Sequence, residues 1–379
     1  MNIAILSTGF IGTGKEATCI TLLNFAKELS RSGHNLVVIA EKREESSRNE
    51  ELDGISFYRV GGFKFFKFYN RILGHALGVR RMQKSKNIKF DIIHTFSAAH
   101  IFVLRGFLAR IFARKAILIH TVKSYSRNRL GRSFYRLLNL ADVITVPTKV
   151  FAEKLIEGGV KKEKIFVIRS HIDTEKFIPA DKDELKKKLG YVNKKIIFYY
   201  GAMWDLKGSD YLVESIPKII KENYDAFFVF APRNIDWRIE GYQKKIKKMN
   251  MEKHCDFILR DVKIEDYVAM ADMVVLPYPN LIGTEGNPSC MLEAMACKTP
   301  VITTDLPELR EIAEPEKEVL MAKPKDSDSL AAEINRLLKD KKLQEKLAEN
   351  AYEKSKGFND KIITKQFLEL YEKILKLNQ

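Results

Sequence analysis

The sequence predicts an α/β protein of two Rossmann-like domains facing each other across a cleft. Three observations carry this. The chain has 379 residues, enough for two domains of ordinary size, each with its own core. A strand, glycine turn, helix and strand open the chain, and the same alternation starts afresh near Ile196. Segments alternating in that way build parallel sheets covered by helices. Apolar residues make up 45% of the chain and charged residues 30%, which suits a folded globular protein and excludes a disordered one.

In the first half, residues 2–8 (NIAILST) read as a strand, residues 9–14 as a turn and Ala17–Arg31 as a helix with apolar residues at helical spacing. Gly33 ends that helix and Asn35–Ala40 is the next strand. A glycine-rich turn entering a helix presents backbone N–H groups, Gly14 among them, to an anion. GFIGTGKE falls one residue short of a nucleoside-triphosphate loop. Glu16 replaces the hydroxyl that would hold Mg²⁺ and sets a negative charge where a triphosphate would lie, which makes an NTPase the weakest reading.

The opening MNIAILSTGF lacks a basic flank and is too short for a secretory leader, so it reads as a strand. No uninterrupted apolar run approaches about 18 residues, so no bilayer span is expected. The four cysteines, Cys19, Cys255, Cys290 and Cys297, have neither metal-ligand nor disulfide-framework spacing, as in a reduced intracellular protein.

Charge is unevenly distributed. Residues 63–136 hold seven Lys and ten Arg against one acid, Asp91, and that net +16 equals the formal charge of the whole chain. Such an asymmetry points to a polyanionic partner for one half only. Residues 63–86 can be laid on a helix with Lys64, Lys67, Arg71 and Arg81 on one side. Phe65, Phe66, Tyr69, Ile72, Leu73 and Leu77 then fall on the other. A basic, Phe-rich amphipathic stretch suits the headgroup layer of an anionic membrane, and it equally suits a domain helix with a solvated basic face. Arg105, Arg110 and Arg114 interrupt the apolar helix that follows. No nucleic-acid motif accompanies the charge, and the aromatic residues cluster instead of alternating as stacking platforms, so no nucleic-acid partner is expected.

FDIIH (90–94) and AILIH (116–120) read as buried strands, each ending in a histidine, and in open parallel sheets ligands bind at the carboxyl ends of strands. ADVITVP (141–147) is a further strand. The Lys/Asp-rich residues 180–195 lead into the second half, with domain limits of 1–175 plus 358–379, and 176–357.

The second half opens with the strand Ile196–Tyr200 and runs through Gly201 and Lys207-Gly208 into a helix. An ammonium at a helix start is well placed to meet a diphosphate. After ADMVVLP (271–277) comes LIGTEGNPSCMLEAMACKTPVITTDLPELREI (281–312), a loop that enters a helix near Pro288–Ser289. Glu285 lies in the loop and Glu293 about one turn inside the helix, so both can face one pocket. Two carboxylates do not bind phosphate, but they accept hydrogen bonds from hydroxyls. A sugar nucleotide offers hydroxyls at both ends with a diphosphate between them.

EGNPSCMLEAMACKTPVI closely resembles the signature of the retaining glycosyltransferases of the GT-B fold, glycosyltransferase family 4 (group 1 type). The likeness runs along the whole chain: Gly14-Lys15-Glu16 and Gly33-His34, Ala141–Pro147, Asp173 with Phe177-Ile178-Pro179, and Gly201 with Lys207-Gly208. It implies a GT-B fold, with the helix of residues 358–377 crossing back to the first domain. It implies a nucleotide-sugar site of Gly14, Gly201, Lys207, Gly286, Asn287, Pro288, Ser289 and Glu293, with Glu293 on the ribose. Glu285 and the N–H groups of 286–289 would hold the transferred sugar. His120 matches a family histidine near the reacting carbon, and His94 one that is structural.

The chain departs from the pattern at Ala202, where the family carries a second cation for the leaving phosphate, unless Arg233, His171 or Arg169 supplies it. Thr13, Ser170-His171, APRN (231–234) and Asp305-Leu306 are further departures.

The expected function is metal-independent, cofactor-free transfer of a sugar, with retention, from a nucleotide sugar to a lipid-linked or glycolipid acceptor. His120, Lys207 and Glu285 are the catalytic candidates. The enzyme is expected on the cytoplasmic membrane face, held peripherally through Lys64, Phe65, Phe66, Lys67 and Arg71. The alternatives are an epimerase or phosphorylase of the same fold, and a non-catalytic nucleotide-sugar-binding scaffold at a membrane.

Overall fold

A computed structural model describes residues 1–7, 17–42, 47–52, 54–61, 67–97, 102–125, 134–233 and 235–378, with the backbone alone at 17–20, 52, 67–71 and 97. The chain divides into two compact units, residues 1–170 with 360–379, and residues 171–359.

The first unit carries an eight-stranded sheet. In chain order its strands are β1 (Asn2–Ser7), β2 (Asn35–Glu41), β3 (Asn49–Leu52), β4 (Ile55–Val60), β5 (Ile92–Ser97), β6 (Ile117–Val122), β7 (Val143–Val146) and β8 (Ile165–Val167). Their order in the sheet is β3-β4-β2-β1-β5-β6-β7-β8, parallel throughout except for the edge strand β3 against β4. Every residue of β6 and β7 is buried, as expected where helices cover both faces of a parallel sheet.

Both histidine strands run on past their histidines. His94 is the third residue of β5 and His120 the fourth of β6. The extension is possible because the threonines that follow satisfy their hydroxyls across the sheet. Thr121 meets both His94 Nε2 and Thr145, each at 2.6 Å.

The basic stretch forms the helix Lys67–Lys86. Its core face is Ile72, His75, Ala76, Val79 and Met82, at helical spacing. Leu77, expected on the apolar side, is half exposed. The described part of this helix thus answers to the domain-helix alternative.

Two of the arginines counted as surface charge are internal or paired. Arg105, in the helix Val103–Ala109, is wholly buried with its guanidinium 4.4 Å from the Phe102 ring centroid. Arg110 pairs with Asp142 at 2.7 Å.

The last helix, Asp360–Leu377, belongs to the first unit. It buries Ile363, Phe367, Leu370, Tyr371 and Ile374 in the core formed by Ile3, Ile5, Phe25 and Leu29. Tyr371 shares a hydrogen bond with His94 Nδ1, and burial holds the His94 imidazole well below its usual range, the nearby His120 and Lys123 adding to the effect. His94 is a structural residue.

The second unit has six parallel strands. They are β9 (Lys195–Gly201), β10 (Ala226–Pro232), β11 (Cys255–Phe257), β12 (Met273–Leu276), β13 (Val301–Thr304) and β14 (Leu320–Ala322), ordered β11-β10-β9-β12-β13-β14. Strand order reverses between β9 and β12, and the crevice outside the carboxyl ends of such a pair is where α/β sheets bind ligands. Among the described residues no helix is long and apolar enough to cross a membrane.

Candidate functional site

Strand β9 ends in Tyr199-Tyr200-Gly201, and alternation sends the two phenols to opposite faces. The Tyr199 hydroxyl donates to the Ala202 carbonyl at 2.7 Å and accepts from Ser209 at 3.0 Å. It thereby ties the strand end to the start of the helix Ser209–Glu222. Between them Lys207 closes a short 3₁₀ turn, and Gly208 caps the helix at φ +75°. No other residue fits at 208: a Cβ there would lie 1.7 Å from the Pro277 carbonyl oxygen. This glycine lets the Lys207 turn lie directly against the loop that follows β12.

Lys207 is half-buried, with its ammonium 5.2 Å from the Tyr278 ring centroid. Burial lowers its pKa and Arg233 lowers it further, whereas Cys290 and Glu285 act in the opposite sense. It makes no ion pair among the described residues.

The loop after β12 leads through Gly286, Asn287 and Pro288, all buried, into the helix Ser289–Ala296. Ser289 Oγ donates to Glu285 Oε2 at 3.2 Å, fixing the loop carboxylate to the first helical turn. One turn on, Glu293 Oε2 accepts from the Tyr200 hydroxyl at 2.8 Å, and that hydroxyl also lies 3.0 Å from the Cys290 carbonyl oxygen. Burial pushes the Glu293 carboxyl up to about 7, and Glu285 adds to the rise, while the Tyr200 hydrogen bond and Lys176 hold it down. Burial and the Glu293 carboxylate push the Cys290 thiol up to about 12, which disfavours the thiolate form a nucleophile needs.

Asn287 is wholly buried, yet neither its amide oxygen nor its nitrogen has a hydrogen-bond partner among the described residues. An unmet buried amide costs about 1–3 kcal/mol. Such a group at a helix start marks a place for a ligand that both donates and accepts.

The second unit thus brings together Gly201, Lys207, Glu285, Gly286, Asn287, Pro288, Ser289 and Glu293. Residue spacing had no signal for Tyr200, which holds Glu293, for Tyr278 beneath Lys207, or for Lys176, which is paired with Glu265 at 3.3 Å. The one available clue was position, since Tyr200 and Tyr278 flank the strand ends at the switch point.

In the first unit, His120 is wholly buried and shares a hydrogen bond through Nδ1 with Thr95. It lies within β6 and not at the strand end where it was expected. Gly14, Lys64, Phe65 and Phe66 lie outside the described residues, and Lys67 and Arg71 are described in backbone only.

Residues 20–176 match the family described as Glycosyltransferase Family 4, and residues 181–354 match Glycosyl transferases group 1. The chain is similar to an N,N'-diacetylbacillosaminyl-diphospho-undecaprenol alpha-1,3-N-acetylgalactosaminyltransferase of Campylobacter jejuni, at 25% identity over 77% of this chain and 79% of that one. It is also similar to the phosphatidylinositol N-acetylglucosaminyltransferase GPI3 subunit of Saccharomyces cerevisiae, at 23% identity over 82% of this chain and 70% of that one. Among solved structures, Anabaena Alr3699/HepE in complex with UDP and glucose superposes with a TM-score of 0.80 at 16% identity, over 98% of this chain and all of the other. That last likeness is one of fold.

Proposed function

The chain belongs to the group 1 glycosyltransferases and has their GT-B fold, and from this premise we propose a retaining, metal-independent hexosyltransferase using a nucleoside diphosphate sugar. The acceptor in this reading is a lipid-linked saccharide or glycolipid, and the enzyme is bound peripherally at the cytoplasmic face of a membrane. Both curated relatives act, by name, on lipid-borne acceptors, which supports that choice.

The observation that carries the reading is a convergence at one sheet edge. Two carboxylates, an unpaired ammonium, an unmet amide and a helix start share the switch point of the second unit. In our assignment Glu293 accepts from the ribose hydroxyls. Glu285, Asn287 and the N–H groups of 286–289 hold the transferred sugar. Lys207 meets the charge that develops on the leaving diphosphate, often the largest single catalytic contribution. That cation, with backbone N–H groups and the helix dipole, supplies the electrostatics a divalent metal would otherwise provide. From the first unit we assign Gly14 to donor binding and His120 to the transferred sugar.

The competing reading of a non-catalytic scaffold rests on Ala202, which stands where the family pattern implies a cation. Turnover separates the two. Incubating the full chain with UDP-, GDP- and ADP-sugars and membrane lipid should release nucleoside diphosphate from one donor class. Release should be unaffected by EDTA, and the product should show the donor's anomeric configuration by NMR. Donor binding without turnover would favour the scaffold, and an inverted product would overturn retention.

A further inference from the structure

Two cations in the second unit lie near one another, and neither makes an ion pair among the described residues. Lys207 is one. The other is Arg233, which directly follows β10. It is exposed and makes no ion pair among the described residues. Its backbone position is fixed: the register pairs Pro232 with Gly201, and the Arg233 N–H donates to the Gly201 carbonyl at 2.9 Å. Arg233 therefore stands beside Ala202, at the sheet edge from which the Lys207 turn departs. The two side chains are close enough for Arg233 to oppose the charged form of Lys207, and for it to favour the ionised form of Tyr199. Two neighbouring cations, neither of them ion-paired, attract an anion between them.

A nearby arginine provides the contrast. Arg238, five residues further on, lies flat against Asp236, with Nη2 to Oδ2 at 2.6 Å and Nε to Oδ1 at 3.1 Å. Its charge is already satisfied, whereas that of Arg233 is not.

We propose that Arg233 is the second cation of the diphosphate site, gripping with Lys207 the two phosphates of the donor from the end of β10. It replaces, from a neighbouring strand, the cation absent at Ala202. The inference rests on the nucleotide-sugar reading above, and it makes Ala202 a relocation of charge and not a loss of function. A guanidinium suits the task because its planar fork contacts phosphate oxygens in pairs.

Calorimetry on the full chain tests it. UDP, GDP and ADP are titrated to find the nucleotide that binds, followed by its monophosphate and by inorganic pyrophosphate. Arg233→Gln should weaken the diphosphate and pyrophosphate by roughly tenfold to a hundredfold, the scale of a charged hydrogen bond. It should leave the monophosphate within about twofold and flatten the salt dependence of diphosphate binding. Arg233→Lys should recover part of the loss. Arg238→Gln removes the same charge nearby and should change none of these affinities. Unchanged diphosphate affinity in Arg233→Gln, with loss in Lys207→Ala, would overturn the proposal and leave the donor reading standing. Equal loss in Arg238→Gln would reduce the effect to general electrostatics and overturn it too. If no nucleotide binds the wild-type chain, the donor reading fails and the proposal with it.

Discussion

The two units share a largely parallel sheet that winds both ways from its first strand and differ in what their polar side chains do. In the second unit the carboxyl edge of β9 and β12 carries Lys207, with no ion pair among the described residues, and Asn287, whose side chain has no hydrogen bond among them. It also carries two carboxylates, Glu285 and Glu293, each held by a hydroxyl donor. In the first, the described polar groups of β5 and β6 face inward. His94 is held between Tyr371 and Thr121, His120 lies against Thr95, and Thr121 reaches Thr145. These bonds key the last helix to the sheet. Topology thus fixes where an α/β unit can bind a ligand, and the side chains at that edge decide whether binding or cohesion is the outcome.

The sharpest way to break this contrast is to truncate one residue from each unit. Lys207→Ala should lower turnover by about a hundredfold or more and shift the melting temperature little, since Lys207 makes no ion pair among the described residues and rests on the Tyr278 ring. His120→Ala should lower turnover and also destabilise the fold by about 1–3 kcal/mol, because it empties a buried site and removes one partner of the Thr95 hydroxyl, leaving it the Ile119 carbonyl. Parallel melts and initial rates with the identified donor check both. Equal stability losses would erase the distinction between site and core.

Glu293 sharpens the comparison within the second unit. Glu293→Ala should weaken nucleotide binding by roughly 1.5–3 kcal/mol, the scale of a hydrogen bond to a charged group. The raised pKa adds a sign. With the folded value near 7 and the ordinary value at 4.5, the native state holds a proton that the unfolded chain releases. The contribution of Glu293 to stability is therefore complete below about 4.5 and is lost as pH climbs to about 7. Ribose hydroxyls favour the carboxylate, so nucleotide affinity should rise with pH through about 7. Tyr200→Phe removes a hydrogen bond that holds the value down and should move that rise to higher pH. Titrations between about pH 6 and about pH 8 decide it, and a flat profile would remove Glu293 from the ribose.

The same contrast explains what could be read from the amino-acid string. The strands β9 and β12 of the second unit and the Glu285–Glu293 spacing were legible because strand runs, a glycine-containing loop and an apolar helix each leave a local pattern, whereas the three-residue strands β11 and β14 are too short to leave one. Tyr200 was not, since a strand-end tyrosine is patterned like any buried aromatic and only the fold sets it against Glu293. Charge in the first unit was only partly legible for a related reason. Arg105 looks like an interruption of an apolar helix, yet its guanidinium is buried over Phe102. Leu77 reads as core but lies half exposed, because the helix turns its Ile72–Val79 face inward. Counting charges ignores direction, and direction is a tertiary property.

Membrane attachment is the smallest effect expected and bears on the first unit alone. With Arg105 buried and Arg110 paired to Asp142, the surface excess is less than the +16 of residues 63–136. Each remaining Lys or Arg near an anionic surface contributes about 1 kcal/mol, enough for reversible binding when a few act together with inserted aromatic side chains. Sedimentation of the full chain with vesicles should therefore rise with the anionic lipid fraction and fall with salt. Reversing Lys64, Lys67 and Arg71 to Glu should lower it severalfold. The matched reversal of Lys244, Lys247 and Lys248, exposed on the second unit's helix Trp237–Lys248, changes the net charge equally and should lower it far less. If the two triple variants lose binding alike, the attraction belongs to the charge of the whole chain and the first unit has no membrane face of its own. If neither neutral nor anionic vesicles bind, the acceptor reaches the enzyme by another route.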